Sequence, residues 1–453
     1  MGGRLLPPGW PLAGLILAFP LWWLLGLGQF IFWIMAVPML LDLLRRPTIK
    51  APPGFGLWAL FLIWTAIGGL FINMTPTDTL AGSAGILGYL MREINYLVVT
   101  IALLYAGNLT QHELPNRRLV KLLGWLGIVT VAGGLLGTFA PGFSVTSPLE
   151  MVLPAGLAAN EFMQTLVRPE AAQIMDVLGY SAPRPKAPWE YTNSWGNNLS
   201  LLLIWLVIGW WTMGGRVQRW ICAIALTLAV IPIVYSLNRG LWVGLAICAA
   251  FVAWRFLRGG RVLTLIVLAF VTLLVGVGVM ASPLFGVVQG RLANPHSDSG
   301  RAVASMAAVR AANESLFLGW GSTREALGSG QSIAVGKTAD CPQCGNNVVG
   351  NNGQLWLLLI SNGYAGALLY YLFFVQALFR YRHDQSAIGV GAKLTLILPF
   401  LYMFLYSSLT APLFITMLAL ALLWRNDMET RTAARLLAAT RRARVVRQGR
   451  KAV

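Results

Sequence analysis

The sequence predicts an all-α, polytopic membrane protein of about twelve transmembrane helices with two large loops on one face. Three observations carry this prediction. Of 453 residues, 57% are hydrophobic and only 11% charged, at a mean hydropathy of +0.67, a balance foreign to soluble chains of this length. Apolar runs of membrane-spanning length recur from end to end, and in a hydrocarbon core about 30 Å thick only a helix or a closed barrel satisfies its own backbone. The unbroken hydrophobicity of each run excludes the alternation of a barrel strand. Finally, every second connection between runs is basic, the pattern of cytoplasmic loops.

In order, the runs lie near 10–26, 28–44, 54–73, 86–107, 121–140, 196–213, 219–237, 239–257, 262–281, 354–379, 393–409 and 411–424. The first two are short and joined by Gly26-Leu27-Gly28-Gln29, which predicts a re-entrant pair or one interrupted helix. The first run follows Arg4 and precedes no small-residue cleavage site, so it reads as a retained signal anchor. With the N-terminus inside, most of the 34 basic residues fall in cytoplasmic segments, among them Arg45, Arg46, Arg117, Arg118, Arg255, Arg258 and Arg382. Both termini are therefore expected in the cytoplasm. The basic tail, 425–453, is expected to rest on anionic headgroups, making membrane lipids a partner. The net charge of +18 does not point to nucleic acid, because aromatic interleaving and a folded reading module are both missing.

Two long loops, 140–196 and 282–353, lie on the exported side of this single integral membrane domain, 1–453. The first is amphipathic over 157–178, where Glu161, Arg168, Glu170 and Asp176 predict one or two helices lying on the membrane surface. Closely spaced prolines then stiffen Ala182-Pro-Arg-Pro-Lys-Ala-Pro-Trp-Glu190, which delivers Arg184 and Lys186 to the head of the sixth span. In the second loop, capping residues Ser297, Asp298 and Ser299 and an Ala-rich stretch predict a helix over 300–316. Gly319-Trp-Gly321 ends it, and 328–336 is expected to be flexible.

Exported loops normally exclude Lys and Arg, yet Arg168, Arg184, Lys186, Arg239, Arg291, Arg301, Arg310, Arg324 and Lys337 lie there, with Arg92 inside the fourth span. An anionic ligand is the simplest explanation. Each residue also has a structural alternative: Arg92 beside Glu93 or snorkelling to the interface, the loop arginines on a solvated helix face. Arg239, in Tyr235-Ser-Leu-Asn-Arg-Gly240, opens the eighth span, where a guanidinium fork grips phosphate oxygens better than a lysine. Cys341-Pro-Gln-Cys344 lacks the second half of a zinc site and a redox fold, so a loop disulfide is expected. Cys222 and Cys248 read as packing residues. There is no glycine-rich phosphate loop after a strand and no acidic metal pair, so neither metal nor another cofactor is expected.

Ser236-Leu-Asn-Arg-Gly240, a large exported loop whose Arg301 opens a helix, Leu316-Phe-Leu-Gly-Trp-Gly321, and Gln354-Leu-Trp-Leu-Leu-Leu-Ile-Ser-Asn-Gly-Tyr-Ala-Gly366 together resemble the O-antigen ligase and O-antigen polymerase superfamily. The resemblance covers about 191–371 and the twelve-helix layout. It implies a GT-C-like glycosyltransferase of the bacterial cytoplasmic membrane. Such an enzyme moves glycan from an undecaprenyl-diphosphate-linked donor, with inversion and without metal, to a glycan, lipid or protein acceptor. The family's exported arginines map onto Arg239 and Arg301, with Arg184 as a third; Asn352 and Glu190 complete the catalytic candidates. Arg92, Arg184, Lys186, Arg291, Arg310 and Arg324 are the candidate ligands of diphosphate or glycan. Where many members carry a His, this chain reads Gly350-Asn-Asn-Gly-Gln354, and an Asn cannot accept a proton at neutral pH. Of His112, His296 and His383 only His296 is exported, so Glu190, Asp298, Glu314 and His296 are the substitute bases, and a polymerase or a divergent ligase is favoured over the standard ligase. The alternatives are a secondary transporter exporting an anionic compound, against which the absence of visible repeated halves speaks, and a non-catalytic scaffold for envelope assembly.

Overall fold

The computed structural model describes residues 7–82, 85–176, 180–282, 284–293, 297–326 and 348–449. Helices occupy the apolar runs. The chain opens with α1 (Trp10–Leu17) and α2 (Phe19–Leu24), followed by α3 (Ile31–Leu44), α4 (Phe55–Gly68), α5 (Ile86–Asn108) and α6 (Asn116–Phe139). Pro20 sits in the first turn of α2, where its missing N–H is harmless, but it cannot continue α1, so the first run is an interrupted helix broken at Ala18.

The first large loop holds three short helices, α7 (Pro148–Val152), α8 (Ala155–Ala158) and α9 (Glu161–Val167), then an antiparallel hairpin of β1 (Ala172–Asp176) and β2 (Ser181–Pro185). Of the one or two helices expected within 157–178, α9 and the end of α8 occupy the first half, whereas 172–176 is strand and not helix. Pro169 ends the helical stretch, and Pro183 and Pro185 confine their segment to an extended strand in a sheet of two, where a missing donor is tolerated. The hairpin seats on α6 because Gly133 and Gly137 leave a notch, into which the carbonyls of Ala187 and Ala171 project.

Beyond the loop come α10 (Thr192–Leu206), prolonged by a π-turn to Thr212, then α11 (Arg216–Tyr235), α12 (Arg239–Arg258) and α13 (Val262–Met280). The second loop carries α14 (Leu284–Ala293), α15 (Ser297–Glu314) and a short pairing of β3 (Arg324–Glu325) with β4 (Val348–Val349). The last helices are α16 (Gln354–Arg380), α17 (Ala387–Tyr402) and α18 (Ala411–Gly449). Among the described residues α5, α6, α11, α12 and α16 are long and apolar enough to cross a membrane, and α3, α17 and the helix ending at Phe71 are shorter apolar helices. The protein is thus an all-α membrane protein whose sheet content is two two-stranded pairings among the described residues. Outward-facing Trp220, Ile224, Ile266 and Phe270 on α11 and α13 fit a hydrocarbon solvent.

Inside lipid, helices hold together by close packing and interhelical hydrogen bonds. One aromatic knot lies between α4, α5 and α16, where Phe61 meets Tyr96 at 5.0 Å and Tyr370 at 5.3 Å between ring centroids. Trp58 Nε1 donates to Thr100 Oγ1 at 2.7 Å in the same layer, leaving no buried indole donor unpaired there. The end of the chain also departs from expectation. The helix that begins at Ala411 runs on through the basic segment, and Arg425 is buried, donating to the Leu114 carbonyl at 2.5 Å instead of lying on headgroups.

Candidate functional site

The site begins with a broken helix. Gly363 takes φ 64 inside α16, which frees the Ile360 and Ser361 carbonyls from the helical ladder. Trp320 N and Gly321 N donate to them at 2.8 and 2.9 Å, and Tyr364 N returns a bond to the Leu316 carbonyl at 2.8 Å. The Leu316–Gly321 turn of the second loop is therefore plugged into the break, and three backbone hydrogen bonds across it replace helical ones. Glycine is required here: Gly321 has φ +73, and a Cβ on it would lie 2.3 Å from the Gly68 carbonyl oxygen.

Two buried arginines hang on this junction. Arg92 of α5 donates through Nη1 to Ser361 Oγ at 3.0 Å and through Nη2 to the Gly321 carbonyl. Its neighbour Glu93 stands 3.9 Å from Nε and instead accepts from Thr65 Oγ1 at 2.7 Å, so the adjacent pair is a weak one. Arg92 is 5% exposed, which settles it as an inward-facing group and not a snorkelling one. Arg324 is 2% exposed and donates only to carbonyls, those of Ser322, Thr323, Trp320, Ile72 and Met74. Burial first, and then the like charge of Arg92, push the Arg324 guanidinium down to about 10.

Arg92 and Arg324 both line a chamber of about 640 Å³. Both large loops close it: Gln173, Glu190 and Tyr191 come from the first, and Ser322, Arg324 and Asn351 from the second. A second cavity of about 420 Å³ adjoins it, since Gln173, Glu190 and Tyr191 line both. Burial raises the Glu190 carboxyl above the ordinary glutamate range, against the pull of Lys186 and Ser194.

A second basic group stands beyond Tyr406, a chamber-lining residue whose hydroxyl donates to Asn238 Oδ1. Arg184 Nε donates to the Ser236 carbonyl at 2.6 Å and Arg291 Nε to the Leu237 carbonyl at 3.2 Å, so two guanidiniums clamp successive residues of the turn that leads into Arg239. Burial, then the charges of Arg291 and Arg301, push Arg184 down to about 10. Arg301 is partly exposed, and its field reaches both Arg184 and Tyr406.

The remaining predicted residues do not line the larger chamber, although Lys186 lines the smaller cavity that adjoins it. Arg239 is half-buried at the head of α12 and does not line the chamber. Lys186 is bound to Glu170 at 2.6 Å, and Arg168 to Glu150. Arg310 makes an exposed pair with Asp78 at 3.6 Å, and Glu314 accepts from Thr77 N at 3.0 Å, which moves both to the surface. Asn352 donates to the Arg301 carbonyl at 3.4 Å, while its neighbour Asn351 lines the chamber. His296, Lys337, the segment 328–336 and the Cys341–Cys344 disulfide lie outside the described residues, as does the Asp298 side chain.

Neither a protein-family model nor a curated protein matches this chain.

Sequence reasoning missed a polar ladder on the chamber wall. Gln29 Nε2 donates to Thr410 Oγ1 at 2.5 Å and to Asn95 Oδ1 at 3.3 Å, and Trp33 Nε1 donates to the same Asn95 oxygen at 2.7 Å. The signal was available, because a lone amide in an apolar run costs too much to lie against lipid. Among the described residues no group of three or more His, Cys, Asp and Glu side chains converges to hold a metal ion.

Proposed function

We propose that this chain is a glycan transferase of the O-antigen ligase and polymerase type, working at the exported face of the bacterial cytoplasmic membrane. In this reading it has about twelve spans in a GT-C-like layout, with both termini in the cytoplasm. The observation that supports it is the chamber under both large loops, to which Arg92, Arg324 and Glu190 are each contributed by a different element.

The chemistry follows from charge. An undecaprenyl-diphosphate-linked glycan presents its C1–O–P linkage to the chamber. An acceptor hydroxyl on a glycan, lipid or protein gives its proton to Glu190 as its oxygen bonds to C1. The C1–O bond to the diphosphate breaks with inversion, and the electron pair leaves on the diphosphate. Arg92 and Arg324 meet that developing charge in a low-dielectric site, where a fixed cation acts more strongly than in water. Since the Arg324 donors are already held by carbonyls, its contribution is its field. Arg184, Arg291 and Arg301 extend the positive field beyond Tyr406, with Arg239 at its border.

The test uses purified protein in lipid nanodiscs with an undecaprenyl-diphosphate oligosaccharide and measures released undecaprenyl diphosphate. Release is expected from the native chain and from Arg310→Ala, and is lost in Arg92→Ala and Glu190→Gln. A native chain that releases nothing, or variants that release as much, would refute the reading.

A further inference from the structure

At the end of the bundle opposite the chamber, α12, α16 and α17 enclose a lateral groove of about 1000 Å³. α12 and α16 both start at the chamber side, next to Asn238 and at Gln354, and finish here at Arg258 and Arg380. The groove walls are apolar and aromatic, with Trp254, Phe256, Phe379 and Phe400 among them. Around them stand Arg255, Arg258, Arg261, Arg382 and Lys393, and no acidic residue lines the groove among those described.

These cations are held mainly by neutral acceptors and an aromatic ring, and the Asp384 carboxylate is the acidic group whose charge reaches one of them, Lys393. Arg255 donates to Gln385 Oε1 at 2.6 Å and to the Gln385 carbonyl at 2.9 Å. Lys393 Nζ donates to the carbonyls of Arg382 and Asp384 at 3.0 and 2.6 Å, and Arg258 lies 4.4 Å over the Trp254 ring. The contacting atoms are all uncharged, and five cations outnumber the one nearby carboxylate, so like charges from three separate segments converge on one concavity. Snorkelling arginines on a helix surface would instead diverge into solvent. A ligand that completes the site carries negative charge at one end and hydrocarbon at the other.

We propose that this groove binds an anionic phospholipid of the leaflet at that end. Its phosphate lies among Arg255, Arg258 and Lys393, and its acyl chains lie against Trp254, Phe379 and Phe400. Among the described residues, none of those lining the groove comes from the basic tail.

Native mass spectrometry of the purified full chain, titrated with cardiolipin or phosphatidylcholine, tests this without any glycan donor, so its failure leaves the transferase reading untouched. Cardiolipin is expected to bind in preference. Replacing Arg255, Arg258 and Lys393 together by Gln is expected to weaken it on the order of a hundredfold, since each basic residue at an anionic bilayer surface contributes roughly a factor of five. Should the triple variant fail to fold, Arg258→Gln alone, at an exposed position, gives the single-residue step. Equal binding of the two lipids, unchanged affinity in the folded variants, or displacement of cardiolipin by equimolar inorganic pyrophosphate would overturn the proposal.

Discussion

Arg92 on α5 and Ser361 at the break of α16 are joined by a 3.0 Å hydrogen bond, so the charge that faces the chamber is held by the same joint that receives the second loop. Charge and anchoring can be separated by mutation. Ser361→Ala removes one acceptor and leaves the guanidinium in place, which should lower stability by about 1.5–3 kcal/mol, the range for hydrogen bonds to charged groups. Arg92→Ala removes the charge as well, and transfer should fall by about two to three orders of magnitude, as when one oxyanion-stabilising donor is deleted. Thermal unfolding in detergent together with undecaprenyl diphosphate release checks both. Equal loss of transfer in the two variants would make Arg92 an anchor alone.

Glu190 links the two cavities, and its burial sets a pH dependence. A general base must be ionised, so transfer should be at its plateau above the raised pKa and decline as pH falls through it, at a pH above the usual 4.5. Glu190→Gln should lower the rate by about 10²–10⁴-fold and remove this acid limb. A pH–rate profile of both proteins decides it: the same inflection in the Gln variant assigns the proton to another group.

How much of this was legible depends on whether the signal was local. Hydropathy placed the helices because each run carries its own requirement to satisfy a backbone in lipid. The Ala-rich stretch marked α15 because propensity acts residue by residue. The hairpin was misread since 157–178 has a charged face compatible with helix, although Pro169 was a visible stop. Arg310 and Arg324 look alike in sequence. Only the fold brings Asp78 to the first and the carbonyls of Ile72 and Met74 to the second. Gln29, Asn95 and Thr410 meet across most of the chain, a contact that no local pattern encodes.

Gly137 of α6 sets how closely the β1–β2 hairpin approaches. A Cβ there would lie 2.3 Å from the Ala171 carbonyl oxygen and 2.8 Å from Pro185 Cα, so Gly137→Val must lift the hairpin that carries Arg184 and leads to Glu190. Transfer should drop and the first loop should become a protease target, with α6 still inserted. Gly142→Val is the control, because nothing lies within 4 Å of its Cβ position. Matching proteolysis patterns for the two variants would remove the notch from the account.

Glu150 of α7 and Arg168, just after α9, clamp the first loop shut, and the clamp responds to acid. The Arg168 guanidinium, more than any other influence, holds the Glu150 carboxyl below its ordinary 4.5. A carboxyl depressed in the folded state contributes stability that is fully present above its unfolded pKa and is lost as pH falls through the folded one. The pair is partly solvated at Arg168, so its contribution is modest and screened by salt. Hydrogen exchange of 148–168 should therefore be unchanged from neutral pH down to the ordinary 4.5 and accelerate as pH falls below it, while the aromatic layer around Tyr96 stays protected. Glu150→Gln should exchange faster at neutral pH and show no further acid step. If native and variant chains open at the same low pH, the trigger lies in another carboxylate.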